Sequence, residues 1–242
     1  MSAAPERRIC LTGPATEQAA RRWMDAVLAV PGWTPLHVPL VRVVGVGLRG
    51  DDIPILPGLI AVTSQNALPA LKKLWDERVD VREAPHAAVG LATARAMRAL
   101  GVDPVIVGES EEAGAAQLAE RIVDVTRQGQ TVIWPRGDRA TDLRERLVLA
   151  GRLVNDPIAY RTEDIKDTVL PGRLDAAFFA SPSAVKVWIR IQGVPRVTAF
   201  AIGQSTHAEL APEYARFKTI VRMPRPTPKA LADALEAARG AG

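Results

Sequence analysis

Four strand-helix units recur along the chain, twice and in the same order, and this repeat constrains the fold more than any motif does. RRICLTGPATEQAARRW (7–23) has its counterpart in TVIWPRGDRATDLRERL (131–147), and LIAVTSQNALPAL (59–71) in AAFFASPSAVKVW (176–188). AAVGLATARAMRAL (87–100) is matched by AFAIGQSTHAEL (199–210), and PVIVGESEEAGAAQLAERI (104–122) by KTIVRMPRPTPKALADAL (218–235). A period of nearly half the chain, kept in order, points to internal duplication. Each unit is a short apolar run followed by a longer pattern of helical spacing. Strands are expected at 8–11, 59–63, 87–89, 105–107, 131–134, 176–180, 198–202 and 219–222. Helices are expected at 16–30, 66–78, 93–100, 113–127, 138–150, 182–191 and 227–239. Such alternation builds parallel sheets covered by helices on both faces. With 48% hydrophobic and 5% aromatic residues, the 242-residue chain has material for layered helix-on-sheet cores.

Two segments interrupt the repeat. TPLHVPLVRVVGVG (34–47) and RLVNDPIAYRT (152–162) are rich in β-branched residues and proline, and they read as extended linkers. Two domains joined by two strands leave a cleft, and clefts take ligands.

The formal charge is +4, with no block of five like charges and no basic run interleaved with aromatics. Nucleic acid is therefore not an expected partner. A small polyanion suits the same charge. The single cysteine, Cys10, lies in an apolar run and is expected as a buried strand thiol, with neither a disulfide nor a metal cluster. No stretch reaches 18 apolar residues, and MSAAPERR lacks an apolar signal core. No membrane association is expected, and a cytoplasmic location is.

Each unit places small or hydroxylated residues where a strand ends and a helix begins. The set includes Thr12–Gly13, Thr63–Ser64, Gly90, Gly108–Ser110, Arg136–Gly137, 181–183, 203–206 and 226–227. Helix capping alone explains any one of them. Taken as a set, helix starts gathered on one sheet edge suit a ligand with many carboxylates. Acid-base machinery is sparse. His37, His86 and His207 pair with no visible Ser-Asp combination, and there is no phosphate loop, dinucleotide turn or metal motif. Tyr214 reads as a packing residue, whereas Tyr160, in DPIAYRT, is either a packed aromatic or a hydrogen-bond donor to a ligand.

Several segments resemble the uroporphyrinogen-III synthase family. AVTSQNAL resembles its strand-end motif, and VGLATARAMRALG its helix-start motif. RGDRATDLRERLVLAG with IAYRT resembles the segment leading to its tyrosine, and FASPSAVKVW and AIGQSTHAEL its second-half pair. The resemblance implies two parallel-sheet α/β domains, doubly wound and flavodoxin-like, joined by a two-stranded linker. It implies a crossed arrangement, in which the first unit packs with the last three and the middle units pack together. The implied domains are 1–38 with 163–242, and 52–152, with 39–51 and 153–162 as linker.

The implied reaction is cofactor-free and metal-free. Hydroxymethylbilane loses water and closes through a spiro intermediate with its terminal ring inverted. The resemblance makes Tyr160 the catalytic candidate. Thr63, Ser64, Asn66, Gly90, Thr93, Arg136, Gly137, Ser181, Ser183, Gly203, Ser205 and Thr206 are the substrate-binding candidates. It also implies a monomer and admits a transient hand-over from hydroxymethylbilane synthase. The sequence departs from the family pattern at Gly13, in TGPAT, where an arginine is usual, at Ala180, where a threonine is usual, and in HAELAPEYARF. The alternative reading is a non-catalytic two-domain binding protein for a small polyanion.

Overall fold

Five strands of four or five residues form one parallel sheet from the two ends of the chain. A computed structural model describes residues 6–14, 16–54, 58–109, 114–139, 142–166, 168–191 and 193–240. The chain divides into two compact units, one holding the residues up to Arg42 and those from Glu163 onward, the other Val43–Thr162. In the first unit the strands are β1 (Arg7–Leu11), β2 (Trp33–His37), β11 (Ala176–Phe179), β12 (Thr198–Ala201) and β13 (Thr219–Arg222), in the order β13-β12-β11-β1-β2. In the second they are β4 (Leu59–Val62), β5 (His86–Ala88), β6 (Ile106–Val107), β7 (Thr131–Ile133) and β9 (Leu153–Asn155), in the order β6-β5-β4-β7-β9. All pairings within both sheets are parallel.

The two orders are one arrangement entered at different points. Counted along its own unit, the first sheet runs 2-1-3-4-5, the flavodoxin order, and the second 3-2-1-4-5, a circular permutation of it. The first repeat unit thus pairs with the sixth (Ile9 opposite Ala176), and the fifth pairs with the second (Leu59 opposite Val132).

Strand alternation feeds two cores per sheet. In the second unit Ile60, Val62, Ala88 and Ile133 pack with Leu71, Leu74 and Trp75 of α2 (Leu68–Glu77), Val81 of α3 (Val79–Glu83) and Met97 of α4 (Leu91–Ala99). Leu59, Ala61, Ala87 and Val132 pack on the opposite face with Leu118 and Ile122 of α5 (Gly114–Val125) and Leu143 and Leu147 of α6 (Asp142–Leu149). The first unit does the same. Cys10, Ala177, Phe179 and Ala199 meet Val185 and Trp188 of α7 (Pro182–Arg190) and Leu210 of α8 (Gln204–Leu210). Ile9, Leu11, Phe178 and Phe200 meet Val27 of α1 (Glu17–Leu28) and Leu231 and Leu235 of α9 (Pro228–Gly240). Burying each phenylalanine fully contributes roughly 1.5–3 kcal/mol.

Local signals fix the helix ends. Thr16 caps α1 by accepting from the Ala19 amide at 3.3 Å. Gly101 (φ +80°) and Gly151 (φ +76°) end α4 and α6 with the same pair of bonds. Val102 N donates to Met97 O and Gly101 N to Arg98 O; Arg152 N donates to Leu147 O and Gly151 N to Val148 O. Both are Schellman closures, which turn the chain back toward its sheet.

The segments expected as extended linkers each contain an edge strand of one sheet. Trp33–His37 pairs along the whole of β1, and Leu153–Asn155 pairs with β7. A third sheet, in the order β3-β10-β8, is built from β3 (Val41–Gly45), β10 (Ile158–Asp164) and β8 (Arg136–Gly137). Arg136 and Gly137 are taken into that sheet, and of the helix expected at 138–150 the stretch Asp142–Leu149 is described as helical, residues 140 and 141 lying outside the described residues. Among the described residues, no helix is long and apolar enough to cross a membrane.

Candidate active site

In an open parallel sheet the usual place for a ligand is beyond the strand C-termini, at the switch point where neighbouring connections run opposite ways. In the first unit that point lies between β1 and β11, and in the second between β4 and β7. The predicted corners sit there and on the adjacent strands.

In the second unit β4 delivers Thr63 and Ser64. Thr63 Oγ1 accepts a 2.9 Å hydrogen bond from Nε1 of Trp134, the residue that follows β7. This bond ties the two strand ends across the switch point. Ser64 caps the turn of Gln65–Ala67, its Oγ accepting from the Asn66 amide at 3.2 Å, and leaves the Asn66 side chain exposed. Gly90 starts α4 in extended conformation with no side-chain cap, and Thr93 is buried in the first turn. The first amides of α4 therefore have no serine or threonine cap, the state in which a helix start receives an anion.

The first unit repeats the set. Ser181 caps α7 by accepting from Ala184 N at 3.2 Å, with Pro182 and Ser183 in the first turn. Gly203 starts α8, also extended and without a side-chain cap. Ser205 is exposed, whereas Thr206 is 1% exposed and its Oγ1 has no hydrogen-bond partner among the described residues. At the switch point Thr12 Oγ1 donates to Phe178 O at 2.9 Å, and a Cβ on Gly13 would lie 3.1 Å from that of Ala180. The two departures from the family pattern thus face each other at close range. Of the predicted corners, Ser110 lies outside the described residues.

Arg136, Gly137 and Tyr160 form a second group in the second unit. Arg136 Nε donates to Asp156 Oδ2 at 2.7 Å and Nη1 to Gly137 O at 3.0 Å, and Arg144 also pairs with Asp156. The guanidinium is therefore held by the protein's own acid, and Arg136 braces β8 against the chain entering β10. Tyr160, on β10, is half-buried against the α2–α4 core. Its ring covers Gly137, and no described residue hydrogen-bonds to its hydroxyl.

Other candidates for chemistry are withdrawn from the strand ends. Burial pushes the Cys10 thiol up to about 12, which leaves it un-ionised and inert at neutral pH. His86 sits at the start of β5, the opposite sheet edge, and burial lowers it to about 4. His37 is on β2, its Nε2 2.7 Å from Pro14 O. Among the described residues no histidine bonds to a serine or an acid. Tyr214, expected to pack, is 73% exposed on the short helical stretch Ala211–Arg216, because Leu210 and Phe217 on either side take the buried positions. Trp134 and Asp156 carry organising bonds and were not among the sequence candidates. Only the Asp-Pro dipeptide before Tyr160 hinted at the second.

Fold and site together define a duplicated, doubly wound α/β protein in which α4 and α8 start without a side-chain cap and no nucleophile-base pair occurs among the described residues. The model of the family described as uroporphyrinogen-III synthase HemD matches residues 23–233, and the chain belongs to that family. Its members are cyclising lyases of tetrapyrrole biosynthesis that act on a small molecule. No curated protein matches the chain. The solved structures it resembles include uroporphyrinogen-III synthetase from Helicobacter pylori, at 16% identity and a TM-score of 0.69, covering 98% of this chain and 100% of that one. They also include a mutant uroporphyrinogen III synthase from Thermus thermophilus, at 20% identity and a TM-score of 0.65, covering 97% and 99%. These likenesses are of the fold.

Proposed function

We propose that the chain converts hydroxymethylbilane to uroporphyrinogen III, with Tyr160 assisting departure of the hydroxyl and the strand-end corners holding the substrate's carboxylates. The observation that carries this reading is the matched set of corners, Ser64 with Ser181, Gly90 with Gly203 and Thr93 with Thr206, at equivalent strand ends of two equivalent sheets. A substrate bearing an acetate and a propionate on every ring needs many weak anion contacts rather than one strong base.

The chemistry asks little of the protein's acids and bases. Pyrrole nitrogen pushes electrons toward the carbinol carbon, the C–O bond breaks, and the hydroxyl leaves as water after taking a proton. The phenol of Tyr160 is the donor for that proton or hydrogen bond. The substituted carbon of the terminal ring then attacks the cationic carbon. The resulting spiro intermediate opens by breaking the bond from the substituted carbon to its original methylene bridge. The ring's free α carbon attacks the released cationic methylene, and loss of the α proton restores the pyrrole and returns the proton given to the leaving hydroxyl, with the ring inverted. Because the bilane also closes unaided without inversion, the enzyme's contribution is to select one attack geometry. Backbone amides and hydroxyls can do this once they fix the carboxylates.

The test is to generate hydroxymethylbilane in situ, oxidise the product and resolve the isomers. Formation of isomer III supports the reading. Exclusive isomer I, with or without binding of the bilane, overturns it and leaves the binding-protein alternative.

A further inference from the structure

We propose that the N-terminal edge of the sheet in the first unit carries a second small-molecule site, one that takes a compact aromatic carboxylate. A cavity of about 600 Å³ opens there, beside the starts of β1, β2, β12 and β13 and the last turns of α9. That volume lies in the range of ordinary ligand pockets, roughly 300–1,000 Å³. Its accessible apolar wall includes Val221 and Ala237, while Trp33 and Phe200, 6% and 0% exposed, border it from within the core. Its charged groups are Arg7, Lys218 and Asp175.

The charges select the ligand. Asp175 already accepts from the Arg8 amide at 2.9 Å. Arg7 lies over the Trp33 ring, 5.7 Å from its centroid, and donates to Ala238 O, which occupies a free carbonyl at the end of α9. Among the described residues neither Arg7 nor Lys218 is paired with a carboxylate. With Asp175 engaged by the Arg8 amide, and Arg7 by Ala238 O and the Trp33 face, Lys218 is the exposed cation at the apolar wall, an arrangement that fits a flat apolar body carrying one carboxylate. The strand-end corners of the same unit lie at the opposite edge of the sheet. A four-residue strand separates the edges by about 13 Å. The site is therefore independent of the proposed catalytic function.

The probe is 2-naphthoate, titrated into the full chain and followed by ¹H–¹⁵N spectra, with neutral 2-naphthamide as control. The expected result is saturable shifts at the Trp33 indole and the amides of Thr198, Lys218 and Ala237. Affinity should drop about fivefold or more for the amide and for Lys218→Ala. Ala237→Trp, which fills the cavity from an exposed helix position, should abolish the shifts while its own spectrum reports an intact fold. No saturable shift up to about 10 mM overturns the proposal. So do shifts centred on Gly13, Ser181 and Gly203, or equal affinity for naphthoate and naphthamide.

Discussion

The ring of Tyr160 lies so close to Gly137 that a Cβ placed on the glycine would sit 2.7 Å from Cε2 and 2.9 Å from Oη. The register of β8 and β10 sets the two residues opposite each other. An alanine at 137 would meet only the far end of a side chain that can rotate away, so it displaces the phenol rather than the backbone. A reacting group misplaced by about 1 Å can cost on the order of 100-fold in rate. Gly137→Ala should lower isomer III formation by about tenfold or more, while its melting temperature stays within about 4 °C of wild type. An active variant with full rate would detach Tyr160 from the chemistry.

Gly108 provides the contrasting case. A Cβ there would lie 2.0 Å from the carbonyl oxygen of Val89, and backbone cannot swing aside. Gly108→Ala should destabilise the fold by about 1–3 kcal/mol, read as a lower urea midpoint. An unchanged midpoint would mean that the ends of β5 and β6 are looser than their 2.9 Å hydrogen bond from Gly108 N to Ala88 O indicates.

The bond from Trp134 Nε1 to Thr63 Oγ1 spans the switch point of the second sheet. Thr63→Ala strands the indole N–H in a site where Trp134 is 1% exposed, a cost of about 1–3 kcal/mol. In a Trp134→Phe background the donor is already gone, so the same substitution should cost less. The double-mutant cycle should give a coupling of about 0.5–1.5 kcal/mol. Strict additivity of the two losses would show that the bond contributes nothing.

His86 should make stability depend on pH. Its Nδ1 donates to Ala84 O at 2.6 Å, its Nε2 has no partner among the described residues, and burial lowers its pKa from 6.5 to about 4. Between those values the unfolded chain binds a proton that the folded chain does not. Stability is therefore full above 6.5, falls as pH drops toward 4, and loses at most about 3 kcal/mol over that window. His86→Leu should flatten this part of the curve. Parallel wild-type and variant curves in urea unfolding from pH 7 to 4.5 would remove His86 as the cause.

The duplication, the parallel sheets and the corner residues were legible because each rests on local pattern: an apolar run, a cap and a helical period. The edge strands Trp33–His37 and Leu153–Asn155 were not. Each carries or precedes a proline and no helix of the repeat follows it, so pattern alone could not separate a paired strand from an extended linker. The bond between Trp134 and Thr63 joins residues 71 apart, and nothing local marks it. Arg136 illustrates the limit best. Its place among the strand-end corners and substrate-binding candidates gives no sign of Asp156, 20 residues on, which holds its guanidinium. Tyr214 failed for the opposite reason, since an aromatic beside a helix is usually packed, and here Phe217 fills that place.

The partition between isomers III and I, measured side by side for the wild type, Tyr160→Phe and Tyr214→Phe, tests the account most directly. The wild type should give predominantly isomer III. Tyr160→Phe should form isomer III more slowly by about tenfold or more and let unaided closure raise the share of isomer I. Tyr214→Phe, altered at an exposed ring, should match the wild type. A wild type that leaves only isomer I, or a Tyr160→Phe variant indistinguishable from Tyr214→Phe, would contradict it.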